Sequence, residues 1–330
     1  MNTKDPEILE IFKGGSLSST MLIMHPKFEK CILKKVSHEL NREYGFVRFS
    51  SQIKRHLQLK KKEPNLFPTI LETGIDIENH EAYCIYEYKE NFISLFDFLY
   101  KKKLTQEIVI KVAKNLLDNI KILHSSKSKF PLPEGSLNYY VKEEMIRPLK
   151  QYEHYLNLDN IFFENKKVNK PKQTICLINK IIREIGNKFD NQSCLIHGNL
   201  TLENILINPL TFEISMIDVY DETYFDIPLS DYSQIFQCSK YFYGIRMRDQ
   251  SSHSNETNFE LMEANKNFET FNNEFEKHLL KKSESNFLLN LLIASQFIRL
   301  LPFRIKSNDN SNAIYFYSLA SWILNQSINE

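Results

Sequence analysis

A chain of 330 residues with 42% hydrophobic and 12% aromatic content is long enough to bury two cores and too apolar to remain disordered. Lysine plus arginine (42) against aspartate plus glutamate (41) leaves a formal net charge of +1, which gives no global electrostatic case for nucleic acid. Five scattered cysteines (Cys31, Cys84, Cys176, Cys194, Cys238), with no CxxC spacing and no signal peptide ahead of them, point to buried thiols in a reducing cytoplasm rather than a disulfide framework.

In chain order, Ile8–Phe12, Thr20–Met24 and Cys31–Val36 predict three strands, with the small-residue loop Gly14-Gly15-Ser16 after the first and a Pro26 turn after the second. A Gly/Ser loop between strands can offer backbone N–H groups to a phosphate, although such loops are also plain hairpins. Lys34 and Lys35 point to opposite faces of the third strand, so one of them can face inward. Ser37–Lys62 is helix-permissive, with Phe46, Phe49, Ile53 and Leu57 three or four apart, and Pro64 and Pro68 close it. Thr69–Ile77 and Ala82–Tyr88 complete a five-stranded antiparallel sheet carrying one helix, which defines an N-terminal domain over 1–90.

Residues 91–330 form the second expected domain, mainly helical. Ser94 caps a short helix, and Thr105-Gln106-Glu107 opens a longer one ending at His124, a packing group. Residues 134–172 and 246–285 are expected to be insertions able to build a substrate pocket, the first a polar, aromatic and irregular stretch that suits a helical or loop element, the second containing a polar, mobile loop. The lysine runs Lys60–Lys62 and Lys101–Lys103 suit solvated ends. Phe287–Phe303 is apolar but contains Asn290, Gln296 and Arg299, which predicts a buried helix and no membrane span.

The chemistry concentrates between Cys194 and Asp231. An apolar run leads into His197-Gly198-Asn199, and Asn204 follows five residues after Asn199. Two short strands, Ile205–Ile207 and Ile214–Ile217, flank the turn Asn208-Pro209-Leu210-Thr211, and the second ends on Asp218. A hairpin of this kind brings Asn204 and Asp218 to one end, where an amide oxygen and a carboxylate suit a hard cation such as Mg²⁺.

This order of parts resembles the protein-kinase-like fold, α+β and bilobal, with a small antiparallel-sheet N-lobe and a larger helical C-lobe. Within it the chain is similar to the aminoglycoside phosphotransferase and choline-kinase group, whose HGD, xxxxN, ID and later aspartate fall here on His197-Gly198-Asn199, Asn204, Ile217-Asp218 and Asp231. The late IRLLPF at Ile298–Phe303 is similar to members associated with bacterial surface-polysaccharide loci. The resemblance implies a Mg²⁺-dependent transfer from ATP, or GTP, to a hydroxyl of a small molecule: an amino alcohol, a sugar or an aminoglycoside-like polyol. It also implies roles. Gly14, Gly15 and Ser16 roof the phosphates, Lys34 pairs with them, and the backbone at Glu87 and Tyr88 meets the base. Asn204 and Asp218 hold metal, while His197 and Asp231 brace the loop. Acids at Glu222, Asp226 and Asp249 are available to a cationic substrate.

Two departures stand out. The helix position expected to pair with Lys34 aligns with Gln52, with Glu43 and Glu39 earlier as substitutes. The catalytic aspartate of the family is Asn199, whose neutral amide orients a hydroxyl but does not accept its proton. Loss of general-base help costs roughly 10²–10⁴-fold. Three explanations stay open: an exchange made to trap a complex, an impaired or specialised transferase, and a pseudokinase acting through a partner. Glu203 and Asp221 are the nearest carboxylates that could substitute as base.

Overall fold

The computed structural model describes residues 6–12, 18–37, 45–76, 78–79, 81–125, 127–186, 192–221, 225–248, 257–263, 265–279 and 285–329. The fold is α+β, with an antiparallel sheet in the N-terminal part and helices dominating the C-terminal part. It divides into two compact units. One comprises Met1–Leu95, His197–Asn199 and Asn204–Thr223; the other comprises Phe96–Ile196, Leu200–Glu203 and Tyr224–Glu330.

In the first unit, strands β1 (Glu7–Phe12), β2 (Ser19–His25), β3 (Glu29–Ser37), β4 (Ile70–Asp76) and β5 (Glu81–Glu87) form one antiparallel sheet in the order β1-β2-β3-β5-β4. Period-two alternation sends Met21, Ile23, Cys31, Leu33 and Ile85 into one cluster. On the other face Val36, Ala82 and Cys84 pack with Phe49 of helix α1 (Phe46–Lys62). Register settles which lysine faces inward. Lys34 lies opposite Cys84, on the α1 side, while Lys35 lies opposite Tyr83 and pairs with Glu81 at 2.7 Å.

Helix α1 keeps three of the four apolar positions its spacing predicts, Phe49 buried and Phe46 and Ile53 packed beside it, and departs from that stripe towards its C-terminal end. Phe49, Arg55, His56 and Leu59 are buried, whereas Leu57 is 51% exposed. The reason is polar. His56 Nε2 lies 2.8 Å from the Pro68 carbonyl, and its ring meets Phe67 and Tyr86 edge-on, so two side chains with charge-bearing groups occupy the inner face. Burial lowers the His56 pKa, which keeps the ring neutral. Glu39 and Glu43 lie outside the described residues, as does the Gly14-Gly15-Ser16 loop.

In the second unit, helix α2 (Leu95–Lys101) precedes α3 (Gln106–His124), whose first turn is capped by Thr105 Oγ1 accepting from the Ile108 amide at 3.4 Å. Of the helical and loop alternatives for 134–172, the segment is largely helical. Ser136–Val141 leads through a π-helical turn at Lys142–Ile146 into Arg147–Gln151. Gly135, left-handed at φ 78°, starts it, which a reading of the polar and aromatic composition does not anticipate. Strand Gln192–Cys194, paired with Lys127–Pro131, also goes beyond the predicted elements. Asn258–Phe259 is a strand paired with Phe162–Phe163, and the helix that follows it begins at Lys266. The loop expected to be mobile lies mostly outside the described residues.

Cys31, Cys84, Cys194 and Cys238 are buried, and burial pushes the Cys84 thiol up to about 11, as befits inert core groups. Cys176 departs from the expectation and is exposed. Asn286–Lys306 is long and apolar enough to cross a membrane by length and composition, yet 67% of that window is buried, and a turn at Arg299–Leu300 interrupts it. Phe297 at its centre is fully buried between Tyr241 and Phe316, at 6.3 and 5.6 Å between ring centroids. Phe297→Ala is expected to cost about 3–5 kcal/mol through lost burial and a residual cavity, measured as a lower denaturant midpoint with an unchanged slope.

Candidate phosphoryl-transfer site

The hairpin predicted from the sequence forms as Ile205–Ile207 paired with Ile214–Met216. Asn208 Oδ1 accepts from the amides of Leu210 and Thr211 at 3.0 and 3.3 Å, closing the turn by the local bonding that favours asparagine there. The hairpin is fixed on both sides: Leu206 and Ile207 pair with Ser94 and Ile93, and the Met216 amide donates to the Leu66 carbonyl at 2.7 Å. At its open end the Ile217 amide donates to the Asn204 carbonyl at 2.9 Å, which sets Asn204 beside the start of the Asp218 turn. Asp218 itself is left-handed, at φ 57°.

The loop His197-Gly198-Asn199 belongs to the same compact unit. His197 is fully buried, stacks on Phe67 with centroids 6.2 Å apart, and accepts the Asn199 amide on Nδ1 at 3.2 Å. Its carbonyl accepts the Tyr220 amide at 3.1 Å. Gly198 sits at φ 79°, and a Cβ there would lie 3.0 Å from Tyr220 Cβ, so glycine answers both a conformational and a steric demand.

Four predicted residues converge. Lys34 Nζ donates to Asp218 Oδ1 at 2.5 Å, with the two side chains 16% and 39% exposed. Asn199 Nδ2 donates to Asp218 Oδ2 and to the Asp218 carbonyl, both at 3.0 Å. Asn204 Nδ2 donates to the Asn199 carbonyl at 2.8 Å, which turns the Asn204 side-chain oxygen to other use. The Asp218 carboxylate is thus held by two nitrogen donors, and Asn204 is fixed through its own amide nitrogen; a carboxylate and an amide oxygen are the donor types of a hard-cation site. Among the described residues there is no cluster of three histidine, cysteine, aspartate or glutamate side chains able to hold a metal alone. A cation here would need further oxygen ligands beyond these two side chains.

The other predicted residues fall elsewhere. Gln52 lies on α1 in one stripe with Arg48 and Arg55, while Lys34 takes its carboxylate from Asp218. Asp231 is fully buried in the helical unit and faces His124 Nε2 at 2.9 Å, so His124 is a polar partner as well as a packing group. Nearby, the Leu200 amide donates to Gln234 Oε1 at 2.5 Å. The two spare carboxylates are both engaged. Glu203 accepts from Cys238 Sγ at 3.4 Å, and burial raises its pKa. Asp221 sits 3.6 Å from Arg48 Nε, and its carbonyl accepts from Arg55 Nη1 at 3.0 Å. Asp226 is buried, and Glu222 and Asp249 lie outside the described residues. Arg48 and Arg55 went unread as site-supporting residues; their seven-residue spacing on a helix was the available signal.

At the end of β5 the Glu87 amide donates to the Thr69 carbonyl at 2.9 Å, and its carboxylate accepts from the Thr69 amide and Lys89 Nζ, both at 2.9 Å. The Glu87 side chain is thus tied back to its own unit. Tyr88 lies under Lys30 Nζ, 4.7 Å from the ring centroid. Partial burial raises the Glu87 pKa, but the bonds from Thr69 and Lys89 outweigh it and hold the carboxyl at about 2, below its ordinary 4.5. A depressed carboxyl stabilises the fold above its unfolded pKa and ceases to as pH falls through the folded one. Glu87→Gln is therefore expected to be less stable than the wild type at neutral pH, with the difference in denaturation midpoint closing as pH falls from about 4.5 towards about 2.

No protein-family profile and no curated protein sequence matches the chain. Solved structures do. An aminoglycoside phosphotransferase from Streptomyces rimosus, in complex with ADP and streptomycin, superposes with a TM-score of 0.51 at 13% identity, over 88% of this chain and 92% of that one. A glucosamine kinase superposes with a TM-score of 0.51 at 8% identity, over 99% of this chain and 94% of that one. The likeness does not extend to an association with surface polysaccharide. At these identities it is a likeness of fold, and the fold it identifies is the kinase-like one.

Proposed function

We propose that the chain is a nucleotide-dependent phosphotransferase of the cytoplasm, passing the terminal phosphoryl group of ATP, or GTP, to a hydroxyl of a small molecule. The acceptor class is an amino alcohol, a sugar or an aminoglycoside-like polyol, in keeping with neighbours that are small-molecule kinases. The observation that carries the reading is the convergence of Lys34, Asn199, Asn204 and Asp218 within one compact unit. In this reading Lys34 leaves Asp218 to meet the α- and β-phosphates, which are stronger anionic partners than one carboxylate. Gly14, Gly15 and Ser16 cover the phosphates, and the backbone at Glu87 and Tyr88 meets the base. His197, through its contacts with Asn199 and Phe67, and Asp231, through His124, hold the surrounding backbone.

Asp218 and Asn204 fit Mg²⁺ as one carboxylate and one amide oxygen, to be completed by phosphate and water. Bound there, the ion neutralises charge on the transferring group. What the chain lacks is a base at position 199. Asn199 uses its amide nitrogen on Asp218, so the substrate hydroxyl is oriented without being deprotonated. Phosphoryl transfer rests mainly on positioning and charge stabilisation, so turnover is slowed by roughly 10²–10⁴-fold relative to an aspartate base, not abolished. The same bond favours a second reading, a kinase-like pseudoenzyme that binds nucleotide and acts through a partner.

Thermal denaturation with millimolar ATP and MgCl₂ separates these. Saturation at a hundred times Kd contributes about 2.7 kcal/mol, so the midpoint is expected to rise by several degrees; no rise counts against both readings. Asp218→Ala is expected to abolish the Mg²⁺-dependent part of that rise. Slow phosphate transfer to some alcohol in a panel of amino alcohols, sugars and aminoglycosides supports the enzyme. A nucleotide-stabilised protein that transfers to none of them supports the partner-acting alternative.

A further inference from the structure

The bond from Asn199 to Asp218 gives position 199 a role that a missing base does not describe. Asn199 Nδ2 reaches both the Asp218 carbonyl and Oδ2 at 3.0 Å. It therefore holds the backbone of a residue in the left-handed region, at φ 57°, and the carboxylate of the same residue. Lys34 holds the other carboxylate oxygen at 2.5 Å. Asn199 is held in turn, because its carbonyl accepts from Asn204 Nδ2 at 2.8 Å and its amide from within the loop donates to His197 Nδ1 at 3.2 Å. Both oxygens of Asp218 are thus matched to nitrogen donors contributed by the chain itself.

We propose that Asn199 is a positioning residue whose amide nitrogen is the working group: together with Lys34 it completes the Asp218 site without a divalent cation. An aspartate at position 199 has no N–H to offer. Its carboxylate would face the carbonyl and Oδ2 of Asp218 across the same gap, an arrangement of like charges that a bridging cation relieves. Asparagine therefore suits a site that rests metal-free and admits Mg²⁺ only as Lys34 is drawn away. The proposal deepens the reading of this site and rests on it for the identity of the cation alone.

The test contains no nucleotide, so its outcome is independent of whether the chain transfers phosphate. Thermal midpoints of the wild type, Asn199→Ala and Asn199→Asp are compared in EDTA and in millimolar MgCl₂. Both variants are expected to melt about 2–4 °C below the wild type in EDTA, the shift expected for losing hydrogen bonds to a charged group. MgCl₂ is expected to raise Asn199→Asp towards the wild-type value while leaving the wild type and Asn199→Ala where they were. A general loss of packing would not respond to the cation in one variant alone. Asn199→Ala at wild-type stability overturns the proposal, and so does an Asn199→Asp protein, folded or not, that MgCl₂ does not restore.

Discussion

Asp218 occupies a backbone conformation that non-glycine residues adopt at a cost, at the end of a three-residue strand, with its carboxylate 39% exposed. Nothing local would keep it there. It is kept by the Leu66 carbonyl behind Met216, by the Asn204 carbonyl behind Ile217, and by Asn199 and Lys34 in front. Because the Lys34 pair is partly solvated, it adds about 0–1 kcal/mol to stability at most. Its consequence is geometric. It ties the central strand of the sheet to the hairpin that carries the candidate cation ligands, so sheet register and site geometry are one constraint.

The polarity of α1 follows from that constraint. No residue of Phe46–Lys62 is acidic, so the helix has no carboxylate for Lys34. It presents cations instead. Arg55 is buried to 3% exposure and spends a guanidinium N–H on the Asp221 carbonyl, while Arg48 approaches the Asp221 carboxylate and stacks over Tyr220 at 4.9 Å. A guanidinium so buried must be hydrogen-bonded, and a carbonyl oxygen serves where a carboxylate does not reach. The helix is therefore coupled to the segment following Asp218 rather than to Lys34 directly. Gln52 lies on the same stripe and adds no charge to it.

Much of this was legible in the sequence for reasons that can be named. The five strands announced themselves by alternation and by turns at Pro26 and Pro64–Pro68, and the hairpin by Asn208-Pro209. Asn204 and Asp218 are joined by a short hairpin, so their convergence could be read from spacing, whereas Asn199 was singled out by the family resemblance. Lys34 over Lys35 required the register of β3 against β5, which no local pattern carries. The inner face of α1 was legible at Phe46, Phe49 and Ile53 and not at Arg55 and His56, charge-bearing types that composition assigns to the surface. His124 and Asp231 are 107 residues apart, and their pairing leaves no trace in either neighbourhood. The helical character of 134–172 was hidden by short helices and a π turn whose periodicity is too brief to register.

Read as chemistry, position 199 separates two duties that one residue type can combine. A carboxylate there can accept a proton and repels its neighbour; an amide cannot accept the proton and binds its neighbour. The structure shows the amide nitrogen committed to Asp218, while Glu203 accepts from Cys238 Sγ and Asp221 lies 3.6 Å from Arg48 Nε. Among the described residues, proton acceptance is not provided for at position 199 itself, and charge positioning is provided for twice over, by Lys34 and by Asn199. Since a loose phosphoryl transfer draws more on the second than on the first, an active site of this composition is coherent as a slow transferase. It is equally coherent as a nucleotide site with no acceptor, and under the proposed function what separates the two is whether a hydroxyl can be brought in line with a phosphate that Lys34 would hold.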